Sequence, residues 1–381
     1  MRIVFVVNSL GTGGAERSLA EMLPFFREAG VRATVVVFYT RNEGVEQQVL
    51  DQGFDVRVLE AQGFAGRVRE LRGILREVRP HLMHSALMDA DLVARGARAF
   101  TRTPLVCSLV NMPYEKARNE EDRNIDALRL GVVRAVDATS SRLVDHFHAI
   151  THAVKESAVR KLGVPAEQIT VVHRGRDRAR LGEPSTERRA RARAGLGIGS
   201  DELVILNAAR REYQKGQRYL LEAFAELEMP NTRLLIAGRE GNASDDLRDL
   251  HERLGLGERV LFLGHREDIP DLIVACDVFC LPSLWEGLGG VLLEALGLGA
   301  PIVCSRLPPA EEVLDEGTDS VLVEPANSAA LRDALRSLLA NPEARARLSK
   351  GGRARFERQF DQAIIASRML EMFRRHTRAI G

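Results

Sequence analysis

Two carboxylates eight positions apart, Glu286 and Glu294, bracket Gly287, Gly289 and Gly290 in "WEGLGGVLLEALGLGAPIV" (285–303). The glycines follow an apolar run and open a helical pattern, so free backbone N–H groups at a positive helix terminus can face an anion. Glu286 sits just before that helix, and Glu294 sits about one turn into it. Carboxylates suit vicinal hydroxyls because each oxygen accepts a charge-assisted hydrogen bond. Upstream, "NAARREYQKGQRYLLEAF" (207–224) places Arg210 and Lys215 on a strand-to-helix loop. Two cations there neutralise a diphosphate and stabilise a departing phosphate oxygen. Arg211 competes with Arg210 for this role, and spacing does not separate them.

A third stretch, "GTGGAERSL", begins at Gly11 directly after the apolar run 2–10. A dinucleotide fingerprint wants G-x-G-x-x-G and an acid about 20 positions on. Here Glu16 stands at the third glycine's position, and "VVFYTRN" offers no carboxylate before Glu43. Arg41 leaves NADP as a minor variant. The diphosphate of an activated donor fits the turn better.

The elements that must position these groups alternate along the chain. With 381 residues, 45% hydrophobic and 28% charged, the chain is long enough for two domains with ample core. Strands are predicted over 2–7, 33–38, 56–59 and 105–109, with helices over 15–28 and 65–78. The alternation breaks at "RGRDRARLGEPSTERRARARAGLGIGS" (174–200) and restarts with strands over 203–207, 232–237, 260–263, 278–281 and 301–304. Helices over 219–227, 243–254 and 289–298 lie between them. This is parallel βαβ construction. The expected division is an N-terminal domain 1–180, a linker 181–200, a C-terminal domain 201–350, and a helical tail 351–381 returning to the N-terminal half. A ligand is expected between the halves.

Residues 1–200 hold 31 Lys+Arg against 24 Asp+Glu, residues 201–350 hold 16 against 26, and 351–381 hold 7 against 3. The excesses are +7, −10 and +4. A basic N-terminal half suits an anionic acceptor or an anionic membrane surface; nothing points to nucleic acid. "AGRVRELRGILREVRP" (65–80) carries five arginines beside an apolar stripe. It reads as a solvated face, with peripheral membrane contact as the alternative. No apolar run approaches the roughly 18–20 residues of a membrane span, and no signal-peptide pattern opens the chain, so the expectation is cytoplasmic. Cys107, Cys276, Cys280 and Cys304 lack metal or redox spacing and read as reduced thiols. "DAD" (89–91) lies in a helical pattern that sends its two carboxylates to different faces. No metal site is expected. In 111–137, Tyr114, Lys116, Arg118 and Arg123 are candidates for an acceptor site, against the alternative of an exposed charged loop and helix.

Taken in order, the "GTGGAE" opening, the Arg-x-x-x-x-Lys-Gly loop and the glutamate pair resemble glycosyltransferase family 4. "HAITHAVKESAVRKLGVPAEQITVVHRGRD" (148–177) and "FLGHREDIPDLIVACDVFCLPSLWEG" (262–287) extend the resemblance over nearly the whole chain. It implies an α/β GT-B fold, with two Rossmann-like doubly wound parallel-sheet domains facing a central cleft. It also implies a retaining hexosyl- or N-acetylhexosaminyl-type transferase that uses a nucleotide sugar, UDP before GDP, without cofactor or metal. Arg210 and Lys215 would hold the donor diphosphate, Glu286 the sugar hydroxyls and Glu294 the ribose. Backbone amides of Gly289, Gly290 and Val291 would meet sugar and distal phosphate, and Gly13 and Gly14 would approach the diphosphate from the other side. His84 matches one family histidine, whereas Asn111 stands where many members carry another. With no obvious nucleophile, front-face attack fits, the leaving phosphate taking the acceptor's proton. The acceptor is a hydroxyl of a glycan, a lipid-linked sugar or a small molecule. The alternatives are a nucleotide-sugar 2-epimerase of the same fold and a catalytically silent nucleotide-sugar-binding protein.

Overall fold

The computed structural model describes residues 1–115 and 127–377. It divides into two compact units, 1–115 with 127–177 and 362–377, and 178–361.

Among the described residues, the first unit holds β1 (Arg2–Val7), β2 (Arg32–Val37), β3 (Asp55–Val58), β4 (Leu82–Ala86), β5 (Leu105–Leu109), β6 (His146–Ala149) and β7 (Ile169–Val171). They form a parallel sheet in the order β3-β2-β1-β4-β5-β6-β7. Its helices are α1 (Gly14–Glu28), α2 (Glu46–Asp51), α3 (Gly63–Val78), α4 (Met88–Arg98), α5 (Ala127–Ser140) and α6 (His152–Leu162). A parallel sheet covered on both faces reads as continuous apolar runs, which is why RIVFVV and LVCSL declare themselves as strands.

The second unit holds β8 (Leu203–Ala208), β9 (Thr232–Ala237), β10 (Val260–Gly264), β11 (Val278–Leu281), β12 (Ile302–Ser305) and β13 (Ser320–Val323), in the order β10-β9-β8-β11-β12-β13. Around it lie α7 (Arg178–Leu181), α8 (Thr186–Gly195), α9 (Gln217–Ala225), α10 (Ser244–Arg253), α11 (Ile269–Ala275), α12 (Gly290–Leu298), α13 (Pro308–Val313), α14 (Ser328–Ala340) and α15 (Pro342–Gln359). The last helix, α16 (Gln362–His376), belongs to the first unit and packs on α1. Its Phe373 meets Phe5 and Phe26 edge-on at 6.2 and 5.9 Å.

The stretch expected as a linker, 181–200, instead contributes α8 to the second unit. Arg189 donates to the carbonyls of Val274 and Cys276 and to Asp277, and Arg193 is buried against Ala275 O and Gly199 O. Arginines that satisfy carbonyls at the end of a neighbouring helix read as linker polarity in the sequence. The helical tail is also divided: 351–359 ends α15 in the second unit, and only α16 belongs to the first. All four cysteines are buried and unbridged. No helix among the described residues is long and apolar enough to cross a membrane.

Candidate active site

In the second unit the strand order reverses between β8 and β11, the place where open parallel sheets bind their ligands. Both chemistry-bearing stretches lie on the loops that leave the carboxyl ends of these two strands. After β8, Arg211 turns inward. Its side chain is 8% exposed, pairs with Glu240 at 3.1 Å and lies over the Phe262 ring. Arg210 is 62% exposed and held 2.8 Å from Glu212, so it is the arginine open to a ligand. Gly216 then takes φ +60°, and a Cβ there would collide with the Pro282 carbonyl. Only glycine combines that backbone with that approach.

The close approach lets the two loops be stitched together. Leu284 N donates to Gln214 O at 2.8 Å, and Gln214 Nε2 donates to Trp285 O at 2.8 Å. The ammonium of Lys215 thereby lies 2.5 Å from Glu286 Oε1, which also accepts from Ser283 Oγ at 2.9 Å. Beneath them, Gln217 Nε2 donates to buried Asn207 Oδ1, while Asn207 Nδ2 donates to Cys280 O. This amide pair ties β8, β11 and the start of α9 into one rigid floor. Sequence reasoning missed it; Asn207, a polar residue ending an apolar run, was the available signal.

The loop after β11 leads into α12. Gly289 occupies its N-cap position with no side-chain cap, Gly290 is the first helical residue and Val291 the next. A Cβ on Gly289 would come 2.8 Å from the buried Leu281 side chain. With no capping side chain, the first N–H groups of α12 remain available to an anion. Glu294 is buried on this helix and accepts from Arg180 Nη2, on α7, at 3.0 Å. That partner was not foreseen from the sequence.

In the first unit, Gly13 is the N-cap of α1, again without a side-chain cap. The Glu16 carboxylate folds back against Gly13, and the Arg174 guanidinium lies 2.9 Å from where a Cβ on Gly14 would stand. The space at both glycines is thus bordered by ends of flexible side chains. Asn111 is exposed, two residues beyond β5.

Of the two readings that the sequence leaves for His84, substrate binding and a structural or cleft-lining role, its surroundings fit the second. His84 is buried within β4, its ring edge-on to Phe5 and Phe373. His148 Nε2 lies 2.7 Å from the Val172 carbonyl and must donate to it. Its Nδ1 therefore accepts from Ser108 Oγ at 2.7 Å, and Ser108 in turn accepts from His84 Nε2 at 2.8 Å. Burial pushes His84 down to about 3, with His148 adding to it, and burial likewise lowers His148 to about 4. Both rings are neutral structural groups. Tyr114 also turns inward, donating to Asp137 Oδ2 at 3.0 Å; Lys116, Arg118 and Arg123 lie outside the described residues. Asp89 accepts from Asn8 Nδ2, and Asp91 is buried against Ser85 Oγ at 2.6 Å. Burial raises Asp91 to about 7.

Residues 188–355 match the family described as "Glycosyl transferases group 1", and residues 12–180 match "Glycosyltransferase Family 4". A lipopolysaccharide core biosynthesis glycosyltransferase of Rhizobium meliloti is 33% identical over 184 residues, 48% of this chain and 53% of its own. The D-inositol 3-phosphate glycosyltransferase of Corynebacterium efficiens is 28% identical over 331 residues, 83% of this chain and 76% of its own. The chain spans about half the length of the first curated relatives it matches. The crystal structure of Anabaena HepE in complex with UDP and glucose is 25% identical, with a TM-score of 0.86, over 98% of this chain and 100% of that one. Both halves of the sequence and both parallel sheets agree, and the chain belongs to the group 1 glycosyltransferases of GT-B fold, family 4-like.

Proposed function

We propose that the chain moves a hexosyl or N-acetylhexosaminyl group from a nucleotide-diphosphate sugar, UDP first among the nucleotides, to an acceptor hydroxyl with retention of configuration, in polysaccharide, glycolipid or glycoconjugate synthesis. The observation that carries this reading is the Lys215–Glu286 pair, placed at the strand-order reversal four residues ahead of the uncapped α12. An ammonium has three donors and no acceptor. Glu286 engages one of them, leaving two for phosphate oxygens, with Arg210 as the second cation. Glu286 Oε1 is filled by Lys215 and Ser283. Oε2, met among the described residues by Gln214 alone at 3.5 Å, is the oxygen left for a sugar hydroxyl. The amides of Gly289, Gly290 and Val291 take the anionic end of the donor, and Glu294 takes the ribose. As the sugar–phosphate bond breaks, charge grows on the departing oxygen, where preorganised cations act most strongly.

HepE, whose fold matches 98% of this chain, is described in complex with UDP and with UDP-glucose, which supports UDP as the first nucleotide to try. The test is a thermal-shift panel of UDP-, GDP- and ADP-sugars in EDTA, with NAD and NADP as controls. Stabilisation by one nucleotide sugar without metal is expected and names the donor. A response confined to NAD or NADP overturns the proposal.

A further inference from the structure

At the end of the second sheet opposite the candidate active site lies a hollow of about 440 Å3. Its walls include Asp277 and Pro301, which directly precede β11 and β12. Lys215 and Glu286 stand on loops that leave the other ends of β8 and β11, so this hollow has no part in the chemistry derived above. Its walls are cationic, although residues 201–350 carry ten more acids than bases. Arg345, Ser349 and Arg353 recur every fourth residue on α15, so they share one face and span about 12 Å. Arg189 of α8 lines the hollow with them. Each guanidinium is anchored by the protein. Arg345 gives Nη1 to the carbonyls of Leu338 and Leu339, and among the described residues it meets no carboxylate. Arg353 donates to Glu183, which Arg178 also uses, and Arg189 shares Asp277 with Arg193. Asp277 is the one carboxylate among the lining residues, against three arginines.

That excess of two positive charges calls for a dianion. A phosphate monoester carries about two negative charges at neutral pH, and its oxygens match the planar donor forks of arginine. A carboxylate supplies only one charge. The amino end of α8 opens on the same space through Ser185 and Thr186, which also favours an anion. The carbonyl end of α12 borders it through Gly299 and acts in the opposite sense, so the arginines decide the sign. Gly299, at φ +71°, leaves them room: a Cβ there would come 2.8 Å from Ser349 Oγ and 3.0 Å from Arg353 Cδ. The hollow is larger than a bare phosphate needs. Ile273 and Leu298 give it apolar wall for the C–H face of a ring, and Thr186 and Ser349 offer hydroxyls to a polyol. Among the described residues no aromatic side chain lines it, so nothing there stacks on a nucleotide base. We propose that this hollow binds a phosphate monoester carried on a hydroxylated ring, a sugar phosphate, as a ligand separate from the donor. This is independent of the sugar-transfer reading.

The experiment is isothermal titration calorimetry of the full chain with glucose 6-phosphate, beside inorganic phosphate and glucose. Binding of the sugar phosphate is expected, weakened by added salt, with inorganic phosphate about tenfold weaker and glucose silent. Phosphate also suits the candidate active site, so the titration is repeated on Lys215→Ala, where the affinity should be that of the parent. Ala346 is exposed, lines the hollow and has no side-chain hydrogen bond to lose. Ala346→Glu should therefore lower the affinity by more than about tenfold while circular dichroism stays that of the parent. Arg345→Gln should lower it by about tenfold. A parent protein that binds no glucose 6-phosphate at about 10 mM overturns the proposal, as does an Ala346→Glu variant that binds it equally well. Loss of binding in Lys215→Ala places the ligand in the active site and overturns it too. Inorganic phosphate binding as tightly as the sugar phosphate means that the ring contributes nothing, and the proposal fails.

Discussion

The ammonium of Lys215 and the carboxylate of Glu286 are 71 positions apart in sequence and 2.5 Å apart in space, and both are largely shielded from water. Removing the cation therefore takes away a preorganised charge rather than a solvated one. Lys215→Ala should lower turnover by about 10² to 10³, the cost of losing one positioned donor. Steady-state kinetics with the donor found above checks this; unchanged turnover would remove Lys215 from the diphosphate site.

Gly216 sets that pairing. Gly216→Ala puts a Cβ into the Pro282 carbonyl at φ +60°, costing about 1–2 kcal/mol for the left-handed backbone alone. The expected result is a lower melting temperature together with reduced turnover, because the loop carrying Lys215 must shift away from β11. A variant as stable and as active as the parent would show that the loops are not held by this approach.

A different pair holds α5. Arg95 and Asp137 are both buried and 2.7 Å apart, and breaking such a pair from one side leaves an uncompensated charge, typically about 3–5 kcal/mol. Arg95→Met should lose stability on that scale in urea melts. A loss under about 1 kcal/mol would mean that Asp137 finds water when its partner is gone.

The buried histidines give the protein a signed pH dependence. His84, His148 and His146 are held at about 3, 4 and 4, chiefly by burial. Below pH ~6.5 the unfolded chain takes up protons that the folded chain refuses. Their contribution is complete above that pH and is lost as pH falls toward 4, at about 1.4 kcal/mol per group per unit. Asp91, raised to about 7, acts oppositely: the folded state keeps a proton that the unfolded state releases above pH ~4, so its effect costs stability as pH rises from 4 to 7. His84→Asn should flatten the slope of stability against pH between 4 and 6.5, and Asp91→Asn should steepen it. Urea melts across this range test both, and slopes identical to the parent's would contradict the assignment.

The same polar relay explains what the sequence concealed. The apolar strands β1, β5, β9 and β11 are legible to the residue because both faces of a covered sheet must be hydrophobic. LMHSA and HFHA, the strands β4 and β6, were not recognised as strands. Their histidines look solvent-loving until Ser108, on the strand between them, is seen to bond His84 and His148, and Thr170 to bond His146. The arginine-rich 181–200 misled for a related reason, since Arg189 and Arg193 are spent on carbonyls that only the fold brings near. Of the candidate site, the loop cations and glutamates were legible as types and spacings. The choice of Arg210 over Arg211 was not, because it depends on Glu240 and Phe262, which lie on other elements. Arg180 was equally invisible as the partner of Glu294.

Helix α16 lends Ile365, Ala366, Met369, Leu370, Met372 and Phe373 to the core that Phe5, Leu23 and Phe26 begin. The ribosome delivers those six side chains only after all of 178–361 has been made. A nascent chain thus carries an apolar wound on its earliest sheet throughout that interval. During synthesis, the second sheet has everything it needs before the first one does, so of the two sheets the one begun earlier is finished later.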